Sequence, residues 1–129
     1  MLAVDTNVVV RLLTNDNPVQ VKRAAAAFAS DDIFVAKSVL LETEWVLRFS
    51  YRLDRESILR GLRGILGLPN LTAEDGLRVA QALIWYEAGL DFADALHLAS
   101  SSEAQHFGTL DNALVKRARR LSSIEVRAL

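Results

Sequence analysis

The chain contains no cysteine, only 2 prolines, 6 glycines and 2 histidines, and each shortage removes a class of function. Without cysteine there are no structural disulfides, no thiolate zinc sites and no cysteine nucleophile. Such a composition fits a reducing compartment, and a cytoplasmic location is the expectation. Few Gly and Pro beside 51% hydrophobic residues argue against disordered, collagen-like or low-complexity chains. No apolar run approaches the roughly 18 residues of a membrane span. The N-terminus also lacks the basic and then apolar pattern of a secretory signal, so the protein is expected to be soluble and untargeted. Charge shows no excess of either sign: 15 basic against 16 acidic residues give a net charge of −1. No global positive field draws in nucleic acid, and any such binding is local.

What is present is a single domain's worth of sequence. A chain of 129 residues buries roughly two-thirds of its unfolded surface, enough for a core without staples. There is no internal repeat, linker or break in composition, so residues 1–129 read as one domain. Short apolar runs alternate with helical patterns. Strands are expected at Leu2–Val4, Ile33–Val35, near Asn70–Thr72, at His106–Leu110 and at Ile124–Val126. The run Leu2–Val4 has the character of a buried parallel strand. Helices are expected from Val8 to Leu13, from Asn17-Pro18 to about Ser30, from Ser38 to about Tyr51, and from Asp54 to near Gly67. Three more follow: Ala73 to Glu87, Asp91 to about Gln105, and Asp111 to Leu121. Strands alternating with helices predict an α/β fold, a single α/β/α sandwich around a mostly parallel sheet.

Four carboxylates stand out in this frame. Asp5 ends the apolar run Met1-Leu2-Ala3-Val4, Asp111 follows Gly108-Thr109-Leu110, and ligands of open α/β sheets bind beyond the carboxyl ends of strands. Both acids also have a plain reading as caps of the next helix. Glu42 has Ser38, Val39, Trp45 and Val46 as its helical neighbours, on or beside an apolar stripe. There a carboxylate is costly unless it is paired, protonated or bound to a cation. Glu44, by contrast, has Arg48 four residues on, the favourable acid-first order of a structural pair. Asp91 and Asp94 share a face at a helix start. Asp91 suits a cap, while Asp94 lies further in, among Ala95, Leu96 and Leu98. If the fold gathers these acids, the cluster requires a divalent cation.

The other polar residues read more plainly. His97 has an apolar setting and suits packing better than ligation, and His106 opens a strand with no catalytic partner nearby. The run Lys116-Arg117-Ala118-Arg119-Arg120 suits a solvated helix end, where cations favour the macrodipole. It follows Asp111 by two turns, so a phosphate approaching the acids could meet it. Arg11, Lys22, Arg23, Arg48 and Arg52 have no assignable place from sequence.

Taken in order, Leu2-Ala3-Val4-Asp5-Thr6-Asn7, Leu40-Leu41-Glu42 before Trp45-Val46-Leu47, Asp91-Phe92-Ala93-Asp94-Ala95-Leu96 and Thr109-Leu110-Asp111 resemble the PIN-domain family. Within it, they resemble the VapC-type toxins of type II toxin–antitoxin pairs. The likeness covers essentially the whole chain. It implies that Asp5, Glu42, Asp94 and Asp111 occupy the family's acidic positions, with Thr6, Asn7, Thr109 and Asp91 in support. It further implies a metal-dependent endoribonuclease that is usually dimeric and is inhibited by a cognate antitoxin, with RNA as substrate. Oxygen-only ligands suit Mg²⁺ or Mn²⁺. A different class of function, a catalytically silent PIN-like module that binds RNA or protein, uses the same scaffold. A phosphotransfer enzyme with Asp5 as nucleophile is disfavoured because Asn7 stands where a second acid would be needed.

Overall fold

A computed structural model describes all residues, 1–129, and divides them into two compact units, Met1–Gly76 and Leu77–Leu129. The fold is mixed α/β with seven helices, and all of its strand pairing is parallel, as the alternation of patterns predicts.

The first unit contains β1 (Leu2–Ala3), α1 (Thr6–Thr14), α2 (Pro18–Ser30), β2 (Ile33–Val35), α3 (Lys37–Phe49), α4 (Arg55–Leu66) and β3 (Leu71–Ala73). Its strands run in the order β1-β2-β3, with Ile33 opposite both Leu2 and Leu71. The central strand carries the core, since Ile33 and Val35 are fully buried. Leu2 and Ala3 are exposed, which corrects the expectation of a buried first strand: in this sheet β1 is an edge. Helix α4 buries Ile58, Leu59, Leu62 and Ile65, an apolar stripe at helical spacing. Each such side chain contributes about 1.5–3 kcal/mol of burial energy.

Side chains outside the core fix how these elements end. Asn17 caps α2, accepting from Gln20 N at 3.2 Å, and Pro18 takes the first helical position, where no hydrogen bond is lost. At the other end of α2, the Asn70 amide donates to Phe28 O at 2.7 Å and to Asp31 O at 2.8 Å. The Asn70 carbonyl accepts from Ile33 N at 2.8 Å, so one residue joins the close of α2 to the β2–β3 ladder.

The second unit contains α5 (Gly76–Glu87, from Leu77 onward), α6 (Phe92–Ala99), β4 (His106–Thr109), α7 (Asn112–Leu121) and β5 (Glu125–Ala128). Strands β4 and β5 pair in parallel from His106 opposite Glu125 to Thr109 opposite Ala128. Val79, Ala82, Leu83 and Tyr86 form the buried stripe of α5, and the Tyr86 ring meets Phe92 edge-on at 5.3 Å. Gly89 ends the helix: its φ of 113° is open to glycine, and Leu90 N reaches back to Trp85 O at 3.0 Å.

Besides the start of α1, two helix boundaries differ from expectation. Helix α5 starts at Gly76 rather than Ala73, because Ala73 completes β3, Glu74 N bonds Val35 O at 2.9 Å, and Asp75 turns the chain with φ 52°. Helix α6 stops at Ala99 rather than near Gln105. Ser100, Ser101 and Ser102 follow, and the Ser101 hydroxyl turns back onto His97 O at 2.7 Å, the local competition that makes serine a poor helix interior residue.

Candidate functional site

Each unit builds the same junction at the carboxyl end of a parallel strand: one linking residue, then an aspartate, then a helix. Val4 links β1 to Asp5, and Leu110 links β4 to Asp111. Asp5 Oδ1 accepts from Val8 N at 3.3 Å, so α1 begins at Thr6 rather than Val8. Asp111 Oδ1 accepts from Ala113 N at 2.9 Å and Leu114 N at 3.2 Å. Thr109 tightens that turn, its hydroxyl accepting from Asp111 N at 3.1 Å. Both acids are therefore helix caps. The cap engages one carboxylate oxygen and leaves Oδ2 for other chemistry, so capping and site roles coexist.

In the first unit the second acid is Glu42, which accepts a hydrogen bond from the hydroxyl of buried Thr6. Thr6 follows Asp5 directly, so this bond ties the two acidic segments together. The burial argument for Glu42 does not hold. Glu42 is exposed, as are Ser38 and Trp45 on its face. The buried acid is Glu44, 1% exposed, held by Arg48 through Nε–Oε2 at 2.9 Å and Nη2–Oε1 at 3.2 Å. The expected Glu44–Arg48 pair is therefore present, and it is Glu44 that carries the cost of burial.

A groove of about 610 Å³ opens beside Asp5 and Asn7, with Val8, Arg11, Gln20 and Arg23 among its lining residues. The Arg11 guanidinium is engaged: it donates to Gln20 Oε1 at 2.6 Å and to the Tyr51 hydroxyl at 2.9 Å, and lies 3.4 Å from Asp16. Tyr51 in turn donates to Asp16, a bond that, with help from Thr14, holds the Asp16 carboxyl below its ordinary range. Arg23 is exposed and carries the groove's remaining positive charge.

In the second unit Asp91 caps α6, its Oδ2 accepting from Asp94 N at 3.3 Å. The Asp94 carboxyl is pushed above its ordinary range, first by burial and then by the charges of Asp91 and Asp111; His97 and Arg117 act in the opposite direction. Asp94 thus lies in the field of Asp91 and of Asp111, and in that of Arg117 from the basic run. His97 is exposed rather than packed. His106 Nδ1 comes within 3.0 Å of Glu125 Oε2 without hydrogen-bond alignment, and its Nε2 lies 3.1 Å from Arg127 Nη2, a cross-strand cluster on β4 and β5.

Neither unit gathers three or more acidic or histidine side chains into a ready metal site. The chemistry of the donors nevertheless suits a hard cation: they are carboxylate oxygens, two with an oxygen outside the cap, and the repulsion that raises Asp94 is of the kind a cation relieves. Sequence reasoning missed three features here: the Arg11–Tyr51–Asp16 network, the field of Arg117 at Asp94, and the exposure of Trp45 beside Glu42. None had a legible signal, since Trp45 shares its face with Glu42 and that face reads as apolar from sequence.

No curated protein and no solved structure matches the chain significantly. The family profile described as the PIN domain matches residues 2–121, a span that includes Asp5, Glu42, Asp91, Asp94 and Asp111. The chain belongs to the PIN domain family, whose members are generally nucleases that typically use divalent metals.

Proposed function

We propose that this protein is a metal-dependent endoribonuclease and the toxin of a type II toxin–antitoxin pair. The observation that carries this reading is the repeated strand–aspartate–helix junction, each aspartate accompanied by a second acid in its own unit. Asp5 has Glu42, tied in through Thr6, and Asp111 has Asp94, which feels its charge. The acids proposed to ligate Mg²⁺ or Mn²⁺ are Asp5, with Glu42, in the first unit and Asp94, with Asp111, in the second. When bound, such an ion would supply Lewis-acid polarisation of a phosphodiester oxygen and would make water a better nucleophile.

The protein's own residues do the rest. Thr6, donating to Oε1 of Glu42, orients that carboxylate and leaves Oε2 to accept a proton from the attacking water. The caps formed by Asp5 and Asp111 fix each carboxylate against a helix start. Asp94, disfavoured as an anion by burial and by neighbouring acids, would be stabilised in its charged form by a bound cation. Arg23 in the first unit's groove and Arg117, whose charge reaches Asp94 in the second unit, are each positive charges available to RNA phosphates.

A cognate antitoxin, a homodimer and a cytoplasmic location belong to the same proposal. The capping bonds favour a second reading, in which the aspartates are purely structural and the chain is a silent RNA- or protein-binding module. Incubating purified protein with RNA in Mg²⁺, in Mn²⁺ and in chelator separates the two. The nuclease reading expects cleavage only with the ion, lost in Asp5→Asn. Cleavage that survives chelator, or Asp5→Asn as active as wild type, defeats it.

A further inference from the structure

Helix α3 carries an aromatic surface in line with Glu42. At about 100° per residue, Glu42, Trp45 and Phe49 fall on one face of the helix. Trp45 is 53% exposed and Phe49 is 55% exposed, and their ring centroids lie 5.1 Å apart with the planes tilted by 44°. The Arg48 guanidinium sits over the Phe49 ring at 4.5 Å, anchored from beneath by buried Glu44. Exposed Arg52 follows, held in the left-handed region with φ 53°. This helix thus holds two solvent-facing rings and a fixed cation a short distance from an acid of the site.

We propose that Trp45 and Phe49 form a stacking platform for unpaired bases of the RNA substrate, with exposed Arg52 meeting an adjoining phosphate; the inference rests on the nuclease reading and names the residues that hold its substrate beside Glu42. The dimensions agree. With a rise of 1.5 Å per residue, Trp45 and Phe49 lie roughly 5 Å and 10 Å along the helix from Glu42. At about 3.4 Å per stacked nucleotide, they meet bases one to three positions from the cleaved bond. Bases in a duplex have their faces covered by neighbours, so this platform selects loops and single strands.

Size and charge both favour bases over a protein. A wholly buried aromatic side chain accounts for about 150–250 Å², so two half-exposed ones leave on the order of 200 Å². One side of a stable protein interface covers roughly 800 Å². Exposed Arg52 complements a phosphate backbone, Arg48 being paired with Glu44, and a base ring stacked on Trp45 or Phe49 covers the apolar surface without a groove to receive it.

The test uses the intact protein with a single-stranded oligoadenylate and a fully paired RNA duplex of the same length, in chelator so that nothing is cut. The single strand should quench the fluorescence of exposed Trp45, with buried Trp85 as the internal reference, and the duplex should not. Trp45→Ala and Phe49→Ala should each weaken single-strand binding by about 5- to 100-fold. Both should raise KM for cleavage with kcat unchanged, and Trp45→Phe should restore most of the loss. Ile84→Ala, which removes an equally exposed side chain from α5, should bind as wild type. Affinities within about twofold of wild type in both alanine variants, with metal-dependent cleavage intact, overturn the platform and leave the nuclease standing. A change in sedimentation mass with unchanged RNA affinity overturns it in favour of a protein partner. A wild type that cleaves no RNA but binds single strands through Trp45 retains the platform and removes the nuclease.

Discussion

Glu42 and Glu44 lie two residues apart on α3 and should respond to the same substitution in opposite ways. Glu44 is 1% exposed and bridged twice by Arg48, whose side chain is 40% exposed. Breaking a fully buried ion pair costs about 3–5 kcal/mol. Here the released guanidinium regains water on its open side, which lowers the expected cost of Glu44→Gln to about 2 kcal/mol. With an m-value of about 2 kcal/mol per molar, the urea midpoint should fall by about 1 M. Glu42 is exposed, and a glutamine still accepts from Thr6, so Glu42→Gln should change stability by less than about 0.5 kcal/mol. Cleavage should show the reverse: a loss of at least about 100-fold for Glu42→Gln, and near wild-type rates for Glu44→Gln under conditions where it is folded. Urea melts and single-turnover RNA cleavage on both variants are sufficient. Equal losses of activity at the two positions, or a stable Glu44→Gln, would refute the division of roles along the helix.

Four further outcomes are expected. The folded-state pKa of Asp94 is raised, so its destabilising effect is absent below the ordinary value of 3.8 and sets in as pH rises through the folded value. Asp94→Asn should therefore gain stability over wild type at pH 7 in chelator but not at about pH 3, by less than about 1 kcal/mol because solvent screens a half-buried group; urea melts that show a loss at pH 7 would reject this. Asp111→Asn keeps a good cap and should melt as wild type, whereas Asp111→Ala should lose about 1 kcal/mol, and equal melts for all three would remove the cap. Thr6→Val should reduce cleavage by about tenfold through a freer Glu42, and full activity in that variant would show that the hydroxyl positions nothing. If a basic antitoxin side chain competes with the metal for the acids, raising Mg²⁺ should weaken inhibition, and a complex indifferent to salt and metal would count against that mechanism.

Much of the fold could be read from spacing because the relevant signals are local. Asn17-Pro18, Asp54 and Asp91 announce helix starts through capping chemistry confined to one turn, and Gly89 announces a stop through a backbone angle few other residues tolerate. The exposure of Leu2 and the orientation of Glu42 were not legible in this way. Both depend on which element packs where, and an apolar run reads the same at the edge of a sheet as at its centre. The Glu44–Arg48 pair was recoverable from its four-residue spacing, but the burial of its acid was not, since Glu42 and Glu44 have equally apolar neighbours in sequence. The Arg11–Tyr51–Asp16 network joins residues as many as forty positions apart, beyond any periodicity.

Asn70 has a consequence for how the first unit folds. The ladder between β2 and β3 is only three residues long, from Ile33–Leu71 to Val35–Ala73, too short for its own hydrogen bonds to exclude a slip by one residue. The Asn70 amide grips carbonyls that exist in that arrangement only once α2 has closed at Ser30. The alignment of β3 is thus tied to the end of a helix forty residues earlier, so the register of the ladder and the closing of α2 are coupled. Asn70→Asp would present an oxygen to two carbonyl oxygens and break that coupling, loosening the close of α2 and the β2–β3 register together.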